Sequence, residues 1–181
     1  MRGHEDVRTV RERRLLADAD RVRALVAANP DRLELIQVEG RPPTRYVIEL
    51  RCRSVVSLGM VRVQYGDVHQ LAIELPPDYP LGSPPRAKVL TPIRHPHVFR
   101  NTQEVCIGYK RLVTEFLDAF VCRMYDLLRY DPKGLDPRSP ADYEAMQWAL
   151  HNKGRLPLDS CALRMPGQEP ERPAIVWKDL Q

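Results

Sequence analysis

The sequence predicts an α+β fold: one helix, a four-stranded antiparallel meander, a long irregular segment, then two closing helices. Three patterns predict it. The first and last thirds show helical spacing of apolar residues, the stretch between 33 and 75 shows period-two alternation, and the two kinds of pattern do not interleave. The links between the strand-like stretches are short, which favours antiparallel pairing of neighbours over crossover connections.

The first helix spans about Val10 to Ala28. Leu15, Ala19, Val22 and Val26 form its stripe, Leu16 and Leu25 flank it, and Arg14 and Arg21 lie away from it. Asn29-Pro30 ends it, because a residue before proline avoids helical dihedrals. Four strand stretches follow: Leu33 to Val38, Tyr46 to Cys52, Val61 to Tyr65 and Leu71 to Leu75. Gly40-Arg41-Pro42-Pro43, a turn near Gly59 and Gly66-Asp67 connect them. From Pro76 to Lys110 the pattern weakens and seven prolines appear, yet Tyr79, Val89, Ile93, Val98 and Val105 supply enough apolar surface for order. Val113, Phe116, Leu117, Phe120, Met124, Leu127 and Leu128 mark a core helix that Asp131-Pro132 stops. Ser139 as cap and Pro140 in the first turn open the last helix. Residues 1–152 thus form one domain. Residues 153–181 are a Pro-rich C-terminal extension in which Ile175, Val176 and Trp177 look like an anchor.

Composition narrows the function. The 181 residues carry 28 Lys+Arg against 24 Asp+Glu, a formal charge of +4. That excess is too small for a chain that wraps nucleic acid. A hydrophobic share of 43% and a charged share of 29% are those of a globular domain. Val55 to Val61, broken by Ser57 and Gly59, is far short of a membrane span. Met1 to Arg14 is charged and lacks the apolar core of a secretory signal, so a cytoplasmic protein is expected. Cys52, Cys106, Cys122 and Cys161 stand too far apart for metal-ligand spacing and are too few for a disulfide framework. No cofactor is expected. The bias of 23 Arg to 5 Lys, with 17 Pro, points to a GC-rich, bacterial genome.

Four blocks in order carry a resemblance. Leu71-Ala-Ile-Glu-Leu-Pro-Pro-Asp-Tyr-Pro-Leu-Gly-Ser-Pro-Pro is similar to the last meander strand and proline run of the ubiquitin-conjugating enzyme family. His95-Pro96-His97 resembles that family's His-Pro-Asn signature. Cys106 follows His95 by eleven residues, where the family's catalytic cysteine follows by ten. Asp131-Pro-Lys-Gly-Leu-Asp136-Pro-Arg-Ser-Pro140 resembles the segment between the family's last helices. The resemblance covers roughly residues 10 to 150. It departs at His97, which replaces Asn, after Cys106, where the Leu-Asp and Trp-x-Pro residues are missing, and in the hairpin of the second and third strands, whose Trp, Gly-Pro and Gly-Gly residues are absent. These departures, with the Arg and Pro bias, look like the conjugating-enzyme homologues of bacterial ubiquitin-like operons, which as a class also encode an activating enzyme, a modifier and often a deconjugating peptidase, and several of which serve antiviral defence.

The resemblance implies a ubiquitin-conjugating-enzyme fold and an acyl-carrier cysteine at Cys106, since a thiolate is both a good nucleophile and a good leaving group. It implies that His97 donates to an oxyanion or braces the loop, that Asp136 orients an attacking lysine, and that His95 is buried and structural. It also implies that the basic first helix (Arg8, Arg11, Arg13, Arg14, Arg21, Arg23) meets an activating enzyme, and that Tyr109, Lys110 and Arg111 lie near a modifier's tail. The expected partners are a ubiquitin-like modifier, its activating enzyme and a deconjugating peptidase of the same operon, with no nucleic acid and no membrane. Two other readings stay open: an inactive modifier-binding scaffold of the same fold, and a structural subunit of a complex.

Overall fold

A computed structural model describes residues 9–59, 62–107, 115–158 and 162–167. Helix α1 (Val10–Ala28) opens on a capping box in which Thr9 Oγ1 accepts from the Glu12 N–H at 3.1 Å and the Glu12 carboxylate accepts from the Thr9 N–H at 2.8 Å. It ends at Asn29, as predicted. Its buried face is Leu15, Asp18, Ala19, Val22 and Leu25, so a carboxylate stands among the apolar residues.

Six strands follow: β1 (Leu33–Gly40), β2 (Pro43–Leu50), β3 (Ser54–Leu58), β4 (Val63–Gly66), β5 (His69–Glu74) and β6 (Arg86–Val89). A four-stranded antiparallel sheet forms in the order β1-β2-β5-β6, while β3 and β4 pair only with each other. The predicted meander is thus present with one exchange. The third predicted strand, Val61 to Tyr65, falls from Val63 onward in the separate hairpin, Val61 lying outside the described residues, and the fourth place in the sheet goes to β6, within the segment read as irregular. A four-residue strand between prolines offers too few alternations to show a period. Ser54–Leu58 carries a register shift between Val55 and Ser57, which breaks its alternation.

Gly40 closes β1 at φ +99, and a Cβ there would stand 2.9 Å from the Pro42 carbonyl, so the β1–β2 turn requires glycine. Facing pairs Tyr46–Ile73, Ile48–Leu71, Ile73–Ala87 and Leu71–Val89 build one apolar sheet face. That face, the inner side of α1 and helix α2 (Leu117–Leu128) enclose the main core, with Leu15, Val22, Phe120, Val121 and Met124 buried in it. The β3–β4 hairpin packs separately on helix α3 (Tyr143–His151) through Val55, Val63, Tyr130 and Ala149.

Helix α2 begins at Leu117 after the cap residue Phe116, which has no capping side chain. The cap comes from α1 instead: Asp18 Oδ1 accepts from the Leu117 N–H at 2.9 Å. Val113, where the sequence starts this helix, lies outside the described residues. The last helix also starts later than predicted. Its cap is Asp142, whose carboxylate accepts from the Ala145 N–H at 3.0 Å, and not Ser139. The reason is that the Ala141 and Asp142 N–H groups both donate to the Pro96 carbonyl, at 2.7 and 3.0 Å, which holds the preceding chain out of the helix.

Part of the extension returns to the domain. Asn29 forms a reciprocal pair with the backbone of Arg164 at 2.8 and 2.9 Å, and Leu163 and Met165 pack against the core. The proposed anchor Ile175-Val176-Trp177 lies outside the described residues, as do Arg8, Tyr109, Lys110, Arg111 and Cys161.

Candidate functional site

The segment ahead of Cys106 is fixed by backbone bonds. Val105 donates to the Ala87 carbonyl of β6 at 2.8 Å, and Val89 donates to Gln103 at 2.9 Å. Val98 and Val105 form an antiparallel bridge, and the Cys106 N–H donates to the His97 carbonyl at 2.8 Å. Gln103 sits at φ 60, a left-handed position, and its side chain accepts from the Ile93 N–H and donates to the Arg100 carbonyl. Cys106 and the His95-Pro96-His97 turn are therefore neighbours across a short two-stranded strap.

His95 is fully buried against Tyr130, with ring centroids 4.5 Å apart in an edge-to-face arrangement. Its Nδ1 accepts from the His97 N–H at 3.0 Å. Burial, reinforced by the neighbouring His97, pushes its pKa down to about 3, so the ring is neutral. This is the buried, loop-bound role the resemblance implies.

His97 is also buried, at 6% exposure, and not the surface residue that a histidine after a turn proline suggests. Its Nε2 accepts from the Asp136 N–H at 2.9 Å. A ring nitrogen that accepts is bare, so the proton sits on Nδ1. Burial lowers its pKa against the upward pull of the Asp136 carboxylate. The neutral ring is thereby favoured over the charged one.

Asp136 is half-exposed, and its carboxylate is occupied. The Arg138 guanidinium grips both oxygens through Nε and NH2 at 3.0 Å each, and the Arg138 N–H adds a third bond at 3.0 Å. These contacts hold its pKa down at about 2.

The three predicted residues meet. Cys106, His97 and Asp136 line one cleft of about 760 Å3 together with Met124, Leu127 and Arg138. Cys106 is partly exposed there. Of the other described cysteines, Cys52 is buried, and burial with the nearby Asp126 and Asp118 carboxylates pushes the Cys122 thiol up to about 12, its sulfur 3.7 Å from Met165. Sequence reasoning missed Arg138 as a site residue, although its place two residues after Asp136 was visible. It also missed Arg94, which braces the rear of the turn through a two-point pair with Asp142 and a bond to Glu144.

The basic helix divides. Arg14 turns inward and Arg21 lies half-exposed beside it, their guanidinium carbons 4.2 and 3.9 Å from the centre of the Phe116 ring. Arg14 also pairs with Asp18 at 2.9 Å and donates to the Glu115 carbonyl, and Arg21 reaches Asp118 at 3.4 Å. These two hold α1 to α2. Arg13 and Arg23 are exposed, and Arg23 pairs with its neighbour Asp20 at 3.2 Å.

Neither a family model nor a curated protein matches the sequence. Solved structures do resemble the fold. A Trypanosoma cruzi chain described as a ubiquitin conjugating enzyme is 14% identical, with a TM-score of 0.58 over 84% of this chain and 98% of its own. A Plasmodium yoelii chain described in the same way is 20% identical, with a TM-score of 0.55 over 85% and 89%. A third, titled a novel ubiquitin-conjugating enzyme, is 16% identical, with a TM-score of 0.53 over 81% and 94%. The chain therefore has the ubiquitin-conjugating-enzyme fold, as its sequence predicts. Among the described residues no helix is long and apolar enough to cross a membrane.

Proposed function

We propose that the chain is a conjugating enzyme that carries a ubiquitin-like modifier as a thioester on Cys106. The observation that supports this best is the shared cleft: the partly exposed Cys106 stands with His97 and Asp136, while Cys52 is buried and the Cys122 thiol, though also partly exposed, lies outside that cleft and is held protonated by burial and two nearby carboxylates. In charging, the Cys106 thiolate attacks the carbonyl carbon of the modifier's thioester on the activating enzyme. The new C–S bond forms as the old one breaks, and the activating enzyme's thiolate leaves with the electron pair. The exchange is nearly balanced, so no strong general base is needed. In discharge an acceptor amine attacks the Cys106 thioester. His97 serves chiefly as the brace between Cys106 and Asp136: its carbonyl holds the Cys106 N–H, and its Nε2 holds the Asp136 N–H. Its single remaining N–H, on Nδ1, is the donor left for an oxyanion. The reading extends to a cytoplasmic bacterial conjugation system, antiviral in role, with an activating enzyme and a deconjugating peptidase encoded beside it.

The expected result is a reductant-sensitive adduct between this chain and the modifier when activating enzyme and ATP are supplied. Cys106→Ala abolishes it, Cys106→Ser gives none or a reductant-resistant oxyester, and Cys52, Cys122 and Cys161 variants retain it. Covalent loading that survives Cys106→Ala sinks the assignment. The second reading, a modifier-binding scaffold, draws support from the closed Asp136–Arg138 pair. It predicts modifier binding without any adduct in the wild-type chain.

The division of the basic helix sets a second expectation. Reversing Arg13 and Arg23 to Glu slows charging, most at low salt, because exposed charges are screened within about 8–10 Å at physiological ionic strength. Reversing Arg14 and Arg21 lowers the melting temperature instead, since their partners are intramolecular. Charging rates that ignore both salt and the Arg13/Arg23 reversal would eliminate electrostatic docking at this face.

A further inference from the structure

Arg138 stands in the cleft with the proposed carrier cysteine, yet nothing in the reaction so far uses it. Its side chain is 87% exposed, while its inner edge is committed to both oxygens of Asp136. The pair lies at the surface, yet its carboxylate is held in place. Asp136 is anchored from behind by its N–H on His97 Nε2, and its Oδ1 also receives the Arg138 N–H, so backbone and side chain both fix the carboxylate. A carboxylate that already faces a two-point guanidinium has little to offer an incoming ammonium.

Charge counting then separates two kinds of acceptor. A lysine among neutral neighbours competes with Arg138 for Asp136 and brings nothing for the displaced guanidinium to pair with. A lysine flanked by an acidic residue brings its own carboxylate. Arg138 can turn outward onto that carboxylate, which frees Asp136 for the lysine, so one ion pair becomes two and no charge is left alone. The exposed outer edge of the guanidinium makes this exchange sterically open.

We propose that Arg138 is a specificity-determining residue that closes Asp136 against lysines in neutral surroundings and opens it for acceptor lysines flanked by Asp or Glu. The proposal rests on Cys106 being the acyl carrier. The step it controls is aminolysis: the neutral amine nitrogen bonds to the thioester carbonyl carbon, the C–S bond breaks, Cys106 leaves as the thiolate, and the proton lost by the nitrogen ends on that sulfur or in water.

Two measurements test it, and they fail separately. In the first, the Arg138 Nε–H resonance of the uncharged protein is followed by NMR. It is shifted and exchange-protected in the native chain, and loses both in Asp136→Asn. A resonance indifferent to Asp136→Asn shows that the pair does not form in solution and overturns the proposal, whatever Cys106 does. In the second, the charged protein is mixed with two acceptor peptides that differ only in having Glu or Ala beside one lysine, and discharge is followed per molecule of loaded protein. The native chain prefers the Glu peptide by about five-fold, the size expected of one exposed ion pair. Arg138→Gln discharges to the Ala peptide faster by about the same factor and loses the preference. Equal rates for both peptides in the native chain, or a preference that survives Arg138→Gln, overturn the proposal while leaving the carrier role of Cys106 intact. A chain that never loads, by contrast, refutes the carrier role.

Discussion

Asp18→Ala is expected to lower the stability of this domain by about 3–5 kcal/mol, the usual cost of removing one partner from a buried ion pair. Asp18 is fully buried in the middle of α1 and takes on three jobs at once. Its Oδ2 pairs with Arg14 Nε at 2.9 Å and accepts from the Tyr79 hydroxyl at 2.6 Å, while its Oδ1 caps α2 at the Leu117 N–H. Removing it takes the Asp18 acceptor from the α2 N-terminus and the Tyr79 hydroxyl, and the carboxylate partner from a guanidinium that is only 13% exposed. For a domain of this size each kcal/mol moves the melting temperature by about 2–4 °C, so a fall of roughly 6–20 °C is expected. Asp18→Leu combined with Arg14→Met removes both charges and recovers part of the loss. The Leu117 N–H still lacks the Asp18 acceptor, so it does not recover all of it. Thermal denaturation of the three proteins checks this. A shift under about 2 °C in Asp18→Ala would show that the α1–α2 junction does not depend on the carboxylate.

The elements that the sequence made legible are those whose residues act through their own repeat. Tyr46, Ile48 and Leu50 alternate along β2 and are all buried, and Leu15, Ala19 and Val22 are spaced along α1 and all buried. What sequence reasoning missed depends on partners far away in the chain. Asp18 carries no local signal of its role, because nothing near it in the sequence reveals that Tyr79, Leu117 and Arg14 converge on it. Arg14 and Arg21 fall within the basic helix face that the resemblance assigns to an activating enzyme. Both guanidiniums stack on the ring of Phe116, ninety-five residues beyond Arg21. The start of α3 was misplaced for a similar reason. Ser139-Pro140 is a sound local start, and the Pro96 carbonyl overrides it by taking the next N–H groups. At the site, the residue types and their order came through from the resemblance, and Cys106, His97 and Asp136 do share a cleft. The states of those residues did not come through, since the burial of His97 and the closure of Asp136 by Arg138 are consequences of packing.

Acid should destabilise the domain through its histidines, before its carboxylates titrate. Burial lowers the pKa of His95, His97 and His69 alike, and that of His95 to about 3. In the unfolded chain each takes up a proton near pH 6.5. Between that pH and the folded value the unfolded state therefore binds more protons than the native state. Stability then rises with pH, by about 1.4 kcal/mol per unit for each histidine that stays neutral. The contribution is fully present above pH 6.5 and is lost as the pH falls towards the folded pKa. For His95 that window runs down to about pH 3. Asp136 acts lower. Its depressed pKa helps the folded state above its ordinary value near 4, and that help is lost only as the pH falls from there towards 2. Urea unfolding at intervals from pH 7.5 to 4.5 should show the slope steepening below pH 6.5. His95→Asn, whose side-chain oxygen can still accept the His97 N–H, should bind one proton fewer on unfolding across that range. Its stability should be lower than that of the native chain at pH 7.5, and the gap should narrow by roughly 1.4 kcal/mol per unit below pH 6. A native chain whose unfolding free energy is flat from pH 7 to 5, or a His95→Asn variant that keeps the native slope, would mean that His95 is not held neutral and that the turn beside Cys106 is more open to water than its packing against Tyr130 allows.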